Sequence, residues 1–203
     1  MKKILISQRR DPVPGRDEER DGMDVRLAKI FFDLGYLPIP LCSELYEAEN
    51  YIEAFQTDAI LINSGNDIGE YPQRDQLEVR LLDYAKTHSI PVLAICRGTQ
   101  MLNQYCGGSL VSVTGHVATR QTLQGEWAKN QGYTDVNSYH NFAITQETLG
   151  EGLEVLACTQ DGVVKAIKHK RFPWLGIMWH PEREANLPET DKKLLSELFN
   201  SRI

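Results

Sequence analysis

The feature that most constrains the fold is an alternation of short, branched apolar runs with stretches of helical periodicity. The apolar runs lie at residues 3–7, 37–41, 58–62 and 91–95. Between them, residues 23–34 and 77–87 place apolar side chains three and four positions apart, the spacing of one helix face, and residues 51–55 predict a shorter helix. Strands that alternate with helices in this way indicate a parallel sheet covered on both faces.

From residue 108 onward the pattern changes to shorter segments. Four of these predict short strands that add to the sheet in antiparallel directions, namely 110–113, 136–138, 154–158 and 163–168. Residues 174–179 predict one more buried strand, and residues 191–200 predict an amphipathic helix. We therefore expect an α/β three-layer sandwich with a mostly parallel central sheet, formed by a single domain over residues 1–203.

The composition excludes several functional classes. The chain carries 22 Lys and Arg against 28 Asp and Glu, a formal net charge of −6, so no basic excess is available to neutralise nucleic-acid phosphates. No apolar run approaches the roughly 18 residues that a membrane-spanning helix requires, and the first residues predict a strand rather than a signal peptide. The four cysteines lack the CxxC spacing of a zinc ribbon, which favours a reducing, cytoplasmic location.

A cysteine stands at the junction of a predicted strand and a predicted helix. The apolar run 91–95 stops at Cys96, Arg97 and Gly98, and helical spacing follows over residues 99–105. Such a turn is the geometry of a nucleophile elbow, which projects a side chain above the edge of the sheet. The helix N-terminus and the charge of Arg97 would favour the thiolate. The alternative is a buried cysteine that packs as a small hydrophobe.

A thiol nucleophile needs a base, and one of the five histidines is placed to provide it. His180 follows the last predicted strand and so lies at the edge of the sheet where Cys96 is expected. Pro181 favours an extended backbone at His180, and Glu182 would then share the face of His180 and orient its imidazole. This arrangement predicts a Cys-His-Glu triad.

Two backbone N–H groups are candidates for stabilising an oxyanion at the same edge. The Arg97 amide directly follows the nucleophile. Gly65, in the segment NSGND, has no side chain to prevent a close approach of substrate to its backbone. An ordinary turn over residues 63–67 is the alternative.

Four segments in this order, AICRGTQ, NSGND, VNSYHN and MWHPE, resemble the class I glutamine amidotransferases. The resemblance covers nearly the whole chain and is nearest to the stand-alone γ-glutamyl hydrolases typified by γ-glutamyl-γ-aminobutyrate hydrolase. It implies a flavodoxin-like amidotransferase fold. It also implies transfer of a γ-glutamyl group from a small-molecule amide to cysteine and then to water, with no metal or organic cofactor.

The resemblance further implies roles for individual residues. Cys96 would be the nucleophile, His180 the base and Glu182 its orienting group. Gly65 and Arg97 would supply the oxyanion donors. The positions that would hold the glutamate portion of the substrate are Gln100, Ser138, Tyr139 and His140.

A narrower resemblance concerns small hydrolases of capsule phosphoramidate pathways, which release glutamate from γ-glutamyl-CDP-amidate. It rests on ISQR, ERDGMD, GHVATR and MWHPER. Such a substrate carries phosphates, and several arginines lie in segment 9–24, the loop expected at the carboxyl edge of the sheet. The arginines expected to contact the substrate are Arg9 and Arg20, with Arg10, Arg16, Arg120 and Arg183 as further candidates. The alternative is a set of surface arginines offset by their acidic neighbours.

Three other functions stay open at this point. The triad would equally serve an ammonia-supplying glutaminase that works with a synthetase partner. A cysteine redox sensor or a binding protein on the same fold is another, with Cys106 as a resolving thiol. A metal site formed by Cys96, His140 and His180 has suitable ligand types but no compact motif.

Overall fold

The computed structural model describes residues 1–200, in which strands and helices alternate along the chain. The strands are β1 (Lys2–Ile6), β2 (Arg9–Pro12), β3 (Glu19–Gly22), β4 (Tyr36–Pro40), β5 (Ala59–Ile62), β6 (Val92–Ile95), β7 (Val111–Ser112), β8 (Val117–Thr122), β9 (Asp135–Tyr139), β10 (Phe142–Ala143), β11 (Leu153–Cys158), β12 (Val164–His169) and β13 (Trp174–Ile177). The α-helices are α1 (Val25–Asp33), α2 (Pro72–His88), α3 (Arg97–Tyr105), α4 (Glu126–Gln131) and α5 (Glu189–Asn200).

Seven strands form the central sheet, in the order β11-β12-β13-β6-β5-β1-β4. The strands from β13 to β4 pair in parallel, whereas β12 pairs antiparallel with β13 and β11 pairs antiparallel with β12. The mostly parallel sheet is thereby confirmed. Because the parallel strands run in one direction, the loops that follow β1, β5, β6 and β13 meet at the same edge.

Two apolar layers cover the two faces of this sheet. Strand β1 shows the division, because Ile4 and Ile6 pack in the layer with α1 and α5, whereas Leu5 packs in the layer with α2 and α3. Phe31 of α1 and Leu81 of α2 are fully buried members of the two layers. Burial on both faces explains why the parallel strands are continuous apolar runs, and it confirms the three-layer α/β sandwich.

The structure differs from the predicted elements in several places. Residues 9–24, expected as a loop, contain the hairpin of β2 and β3, whose polar strands are held by backbone pairing rather than by apolar burial. The predicted strands 110–113 and 136–138 do not join the central sheet, because β7 pairs with β10 and β9 pairs with β8 in separate two-stranded sheets. Helix α2 begins at Pro72 rather than at residue 77, since proline fits the first helical turn, where no N–H is needed.

Within residues 1–200, no helix combines the length and the apolar character needed to cross a bilayer. The single domain expected over residues 1–203 stays a prediction, and residues 201–203 lie outside the described part of the chain.

Candidate active site

Cys96 lies at a sharp turn between β6 and α3, at the carboxyl edge of the sheet. Its backbone has φ 51° and ψ −106°, a conformation that a non-glycine residue adopts only under strain. The Cys96 N–H donates to the Ile177 carbonyl at 2.7 Å, which ties the turn to β13. Gly98 must be small because a Cβ there would collide with the Ile62 carbonyl. The strand-to-helix turn expected from the sequence is therefore present.

The side chain of Arg97 does not support the Cys96 thiolate as the sequence predicted. Cys96 directly precedes α3. The unpaired N–H groups at the start of that helix, including the N–H of Arg97, therefore lie next to Cys96. The Arg97 guanidinium instead turns into the protein and forms ion pairs with Glu78 and Asp75. Two carboxylates neutralise its charge, which corrects the expectation that this side chain supports the thiolate.

His180 and Glu182 form a buried hydrogen-bonded pair just beyond β13. His180 Nδ1 lies 2.7 Å from Glu182 Oε1, and both side chains are at most 2% exposed. The His180 backbone is extended, as Pro181 predicts, but residues Pro181–Arg183 form a single 3-10 turn. This turn, rather than the extended segment expected from the sequence, brings the carboxylate back to the ring.

The second ring nitrogen of His180 is available for chemistry. His180 Nε2 is buried and has no hydrogen-bond partner among residues 1–200, and His180 lines the same cleft as Cys96. Burial by itself lowers the pKa of His180, but the interactions of the ring with Cys96 and with Glu182 outweigh burial and raise that pKa to about 9. The imidazole is therefore a cation at neutral pH, and a cation beside a cysteine favours the thiolate.

The loop after β5 brings Gly65 to the same cleft as Cys96. Gly65 has φ 129°, in the region that favours glycine. A Cβ at this position would lie 2.5 Å from the Cβ of Arg9 and 2.7 Å from a guanidinium nitrogen of Arg74. Both the backbone conformation and the crowding require glycine here.

Two buried guanidinium groups fix the backbone of this loop. One terminal nitrogen of Arg74 donates to the carbonyls of Asn63 and Ser64, each at 2.8 Å. Nε of Arg97 donates to the carbonyl of Asn66 at 3.1 Å. The segment that carries Gly65 is therefore held on both sides by charged side chains from α2 and α3.

The predicted substrate-binding residues fall into two groups. Tyr139 and Arg9 line a cleft of about 320 Å³ together with Gly65, Cys96 and His180. Arg20 and three buried residues do not line it, the three being Gln100, Ser138 and His140.

Those three side chains are buried and bonded to protein groups. Nε2 of Gln100 donates to a backbone carbonyl, that of Phe142, at 2.8 Å. Ser138 Oγ and His140 Nε2 both contact Nζ of Lys165, at 2.8 and 2.7 Å. Sequence analysis did not single out Lys165, because a lysine in a short strand with further lysines nearby has the pattern of an exposed residue.

Of the arginines expected near a phosphate, Arg9 and Arg183 line the cleft. The Arg183 guanidinium lies 4.5 Å from the centre of the Tyr139 ring. Arg20 does not line the cleft; it is exposed and pairs with Glu18 at 2.7 Å. Arg10, Arg16 and Arg120 also pair with carboxylates outside the cleft, and Arg9 itself pairs with Asp11 at 2.7 Å.

Replacing Glu182 with Gln should make the Cys96 thiolate harder to form. The amide removes the carboxylate that helps to raise the pKa of His180, so the imidazolium beside the sulfur is less stable. The pH profile of Cys96 alkylation by iodoacetamide should then move its midpoint upward by roughly one pH unit. The rate is followed by mass spectrometry of the Cys96 peptide.

The matched control is Glu189→Gln, at an exposed position of α5. This control should leave the profile unchanged. A Glu182→Gln profile that also coincides with the wild type would contradict a role for Glu182 through His180.

The chain is similar to proteins of a known family. The model of the family described as peptidase C26 matches residues 62–182, a segment that includes Cys96 and His180. A gamma-glutamyl-CDP-amidate hydrolase of Campylobacter jejuni is 32% identical over 206 residues, covering 97% of this chain and 97% of its own. A glutamine amidotransferase-like protein of Lactococcus lactis is 30% identical, with 86% of each chain covered.

A solved structure shares the fold. The crystal structure described as a GMP synthase subunit from Thermoplasma acidophilum superimposes with a TM-score of 0.73 over 98% of this chain and 92% of that chain, at 18% sequence identity. The flavodoxin-like amidotransferase fold is thus confirmed, and the family match together with the hydrolase relative identifies a hydrolase of amide bonds. This chain belongs to the peptidase C26 family of class I glutamine amidotransferase-like proteins.

Proposed function

We propose that this chain is a thiol hydrolase that releases L-glutamate from a γ-glutamyl amide through a γ-glutamyl thioester on Cys96. The observation that carries the proposal is the buried His180–Glu182 pair, whose unpartnered Nε2 shares a cleft with Cys96 and Gly65. A sulfur nucleophile beside an oriented imidazolium, with a backbone donor close by, is the set of groups that acyl transfer requires.

In the first step, the Cys96 thiolate attacks the γ-carbonyl carbon of the substrate. A C–S bond forms while the carbonyl electron pair moves to oxygen, and the N–H groups of Gly65 and Arg97 stabilise that oxyanion. The tetrahedral intermediate collapses, the C–N bond breaks, and His180 Nε2 donates its proton to the departing nitrogen. The γ-glutamyl group is then a thioester on Cys96.

In the second step, water hydrolyses the thioester. The neutral His180 imidazole accepts a proton from water as the oxygen attacks the carbonyl carbon. The C–S bond breaks, the new γ-carboxyl group of glutamate leaves and gives its remaining proton to solvent, and the thiolate pairs again with the imidazolium. Glu182 orients the ring throughout by accepting the Nδ1 proton in a hydrogen bond.

The charges in the cleft support a zwitterionic substrate portion. The cleft is lined by two acidic residues, Asp67 and Glu70, and by two basic residues, Arg9 and Arg183. The α-ammonium group of a γ-glutamyl compound would be stabilised by such carboxylates, and its α-carboxylate or a further anionic group by the guanidinium groups.

We further propose γ-glutamyl-CDP-amidate as the substrate, in capsular polysaccharide modification. The support is the similarity over nearly the full length to a gamma-glutamyl-CDP-amidate hydrolase from Campylobacter jejuni, together with the guanidinium groups of Arg9 and Arg183 in the cleft. Arg9 also pairs with Asp11 at 2.7 Å, so binding of a diphosphate by Arg9 would compete with this ion pair. We place the reaction in a reducing, cytoplasmic compartment, in keeping with the four unpaired cysteines.

The experiment that tests the proposal is glutamate release from a panel of γ-glutamyl compounds. The panel contains glutamine, γ-glutamyl-γ-aminobutyrate and γ-glutamyl-CDP-amidate, each tested with the wild type and with Cys96→Ala. We expect release from one non-glutamine compound, abolished in Cys96→Ala with the circular-dichroism spectrum retained.

The control is Cys106→Ala, because burial raises the pKa of the Cys106 thiol to about 11 and leaves it a poor nucleophile. This control should retain activity. Glutamate release that survives in Cys96→Ala contradicts the proposal. Turnover of glutamine alone, and only after a partner protein is added, favours the glutaminase instead.

Arg9→Met and Arg183→Met should discriminate between phosphate and amino-acid recognition. If these groups bind the diphosphate, each substitution should raise KM for γ-glutamyl-CDP-amidate roughly tenfold, because a charge-assisted hydrogen bond is lost. KM for a γ-glutamyl compound without phosphate should change little, and Arg20→Met, outside the cleft, should behave as the wild type. Equal increases for both substrates would contradict a diphosphate role.

A further inference from the structure

A lysine is fully buried beside the proposed catalytic site. Lys165 of β12 has no exposed surface, and its ammonium contacts three acceptors, Ser138 Oγ at 2.8 Å, His140 Nε2 at 2.7 Å and His116 Nδ1 at 3.2 Å. An ammonium has three protons to donate, so each proton has a partner.

Sheet register brings Lys165 close to Cys96. The Lys165 carbonyl accepts from the N–H of Met178 at 2.8 Å, and the Ile177 carbonyl accepts from the N–H of Cys96 at 2.7 Å. Lys165 and Cys96 therefore flank the end of the same strand, β13. Two strand spacings separate their backbones, about 10 Å.

The hydrogen bonds of Lys165 determine which ring nitrogen carries the proton in both neighbouring histidines. Nε2 of His140 and Nδ1 of His116 accept from the ammonium, so each ring carries its proton on the other nitrogen. His116 Nε2 donates to the exposed carboxylate of Asp161 at 2.9 Å. The pKa of His140 falls to about 3, through burial first and then through the charge of Lys165, so its ring is neutral.

The groups that face Lys165 contain few negative charges. Ser138 and the His140 ring are neutral, and His180 is a cation. Asp161 is negative but reaches Lys165 only through His116. The other acidic group is Cys96, whose charge when ionised opposes the effect of burial on Lys165, although burial still lowers the pKa of Lys165 to about 8.

We propose that Lys165 is a positioning residue whose buried ammonium serves as a second counterion to the Cys96 thiolate and holds Ser138 and His140 in one hydrogen-bonding state. The inference rests on the proposed function of Cys96 as a nucleophile. The Cys96 thiolate would then have two nearby cations, Lys165 from β12 and His180 from the end of β13.

The test is the pH profile of Cys96 alkylation in Lys165→Met, a variant that keeps most of the length of the side chain without its charge. The midpoint of the profile should move upward by about one pH unit, since a nearby cation favours the thiolate. Lys165→Arg, which retains the charge, should restore part of the difference. A purely structural lysine would leave the profile of folded Lys165→Met unchanged, and that result would overturn the inference.

A second measurement keeps the test decisive if Lys165→Met does not fold. An interaction between two charges affects both titrations, so removing the thiolate in Cys96→Ala should lower the pKa of Lys165, which NMR of the 15N-labelled ammonium follows. Cys106→Ala is the control and should leave the titration of Lys165 unchanged. A Lys165 titration in Cys96→Ala that coincides with this control would overturn the inference.

Alkylation does not depend on the identity of the substrate. If the panel of γ-glutamyl compounds gives no turnover while the alkylation midpoint of Lys165→Met shifts, the proposed function fails and the assignment of Lys165 stands. Turnover together with an unshifted alkylation profile supports the proposed function and overturns the assignment of Lys165. In an active protein, Lys165→Met should also lower kcat/KM at least tenfold.

Discussion

The site depends on the hydrogen bonds and ion pairs that the buried carboxylate of Glu78 forms. One of its oxygens accepts from Ser7 at 2.8 Å and from Arg74 Nε at 3.0 Å, and the other pairs with Arg97. These partners come from the end of β1, from α2 itself and from the start of α3. A buried ion pair contributes little net stability, but loss of one partner leaves an unpaired charge, so the network specifies one arrangement. The same two arginines hold the carbonyls around Gly65, and the loop of the proposed oxyanion donor is therefore fixed relative to the turn that carries Cys96.

The strands around Cys96 stabilise its strained backbone conformation. Cys96 keeps an unfavourable backbone conformation because β5 and β13 lie on either side of β6 and the Ile177 carbonyl accepts the Cys96 N–H. Asn137 fixes the other half of the site by bonding both the N–H and the carbonyl of His180, at 2.9 and 2.8 Å. The sulfur and the imidazole thus come from the ends of adjacent strands.

The parts of the site that could be predicted from the sequence are those written in local patterns. The Cys96 turn follows from an apolar run that stops at a helix start, and the His180–Glu182 pair follows from the end of the last buried strand. Lys165 and the pairing of Arg97 with Glu78 could not be predicted, because they depend on side chains that meet only when α2, α3, β9 and β12 are packed. The placement of Arg9 in the cleft and of Arg20 outside it depends likewise on the β2–β3 hairpin, for which polar residues give no periodic signal.

The central claim, covalent transfer through Cys96, is tested most directly by trapping the intermediate. Wild-type protein is mixed with the best substrate of the panel, quenched in acid during the first turnover, digested and analysed by mass spectrometry. We predict a γ-glutamyl group on the peptide that contains Cys96, formed at least as fast as glutamate appears in the steady state. Glutamate release with Cys96 unmodified throughout the first turnover, or with the γ-glutamyl group on another residue, would contradict the account.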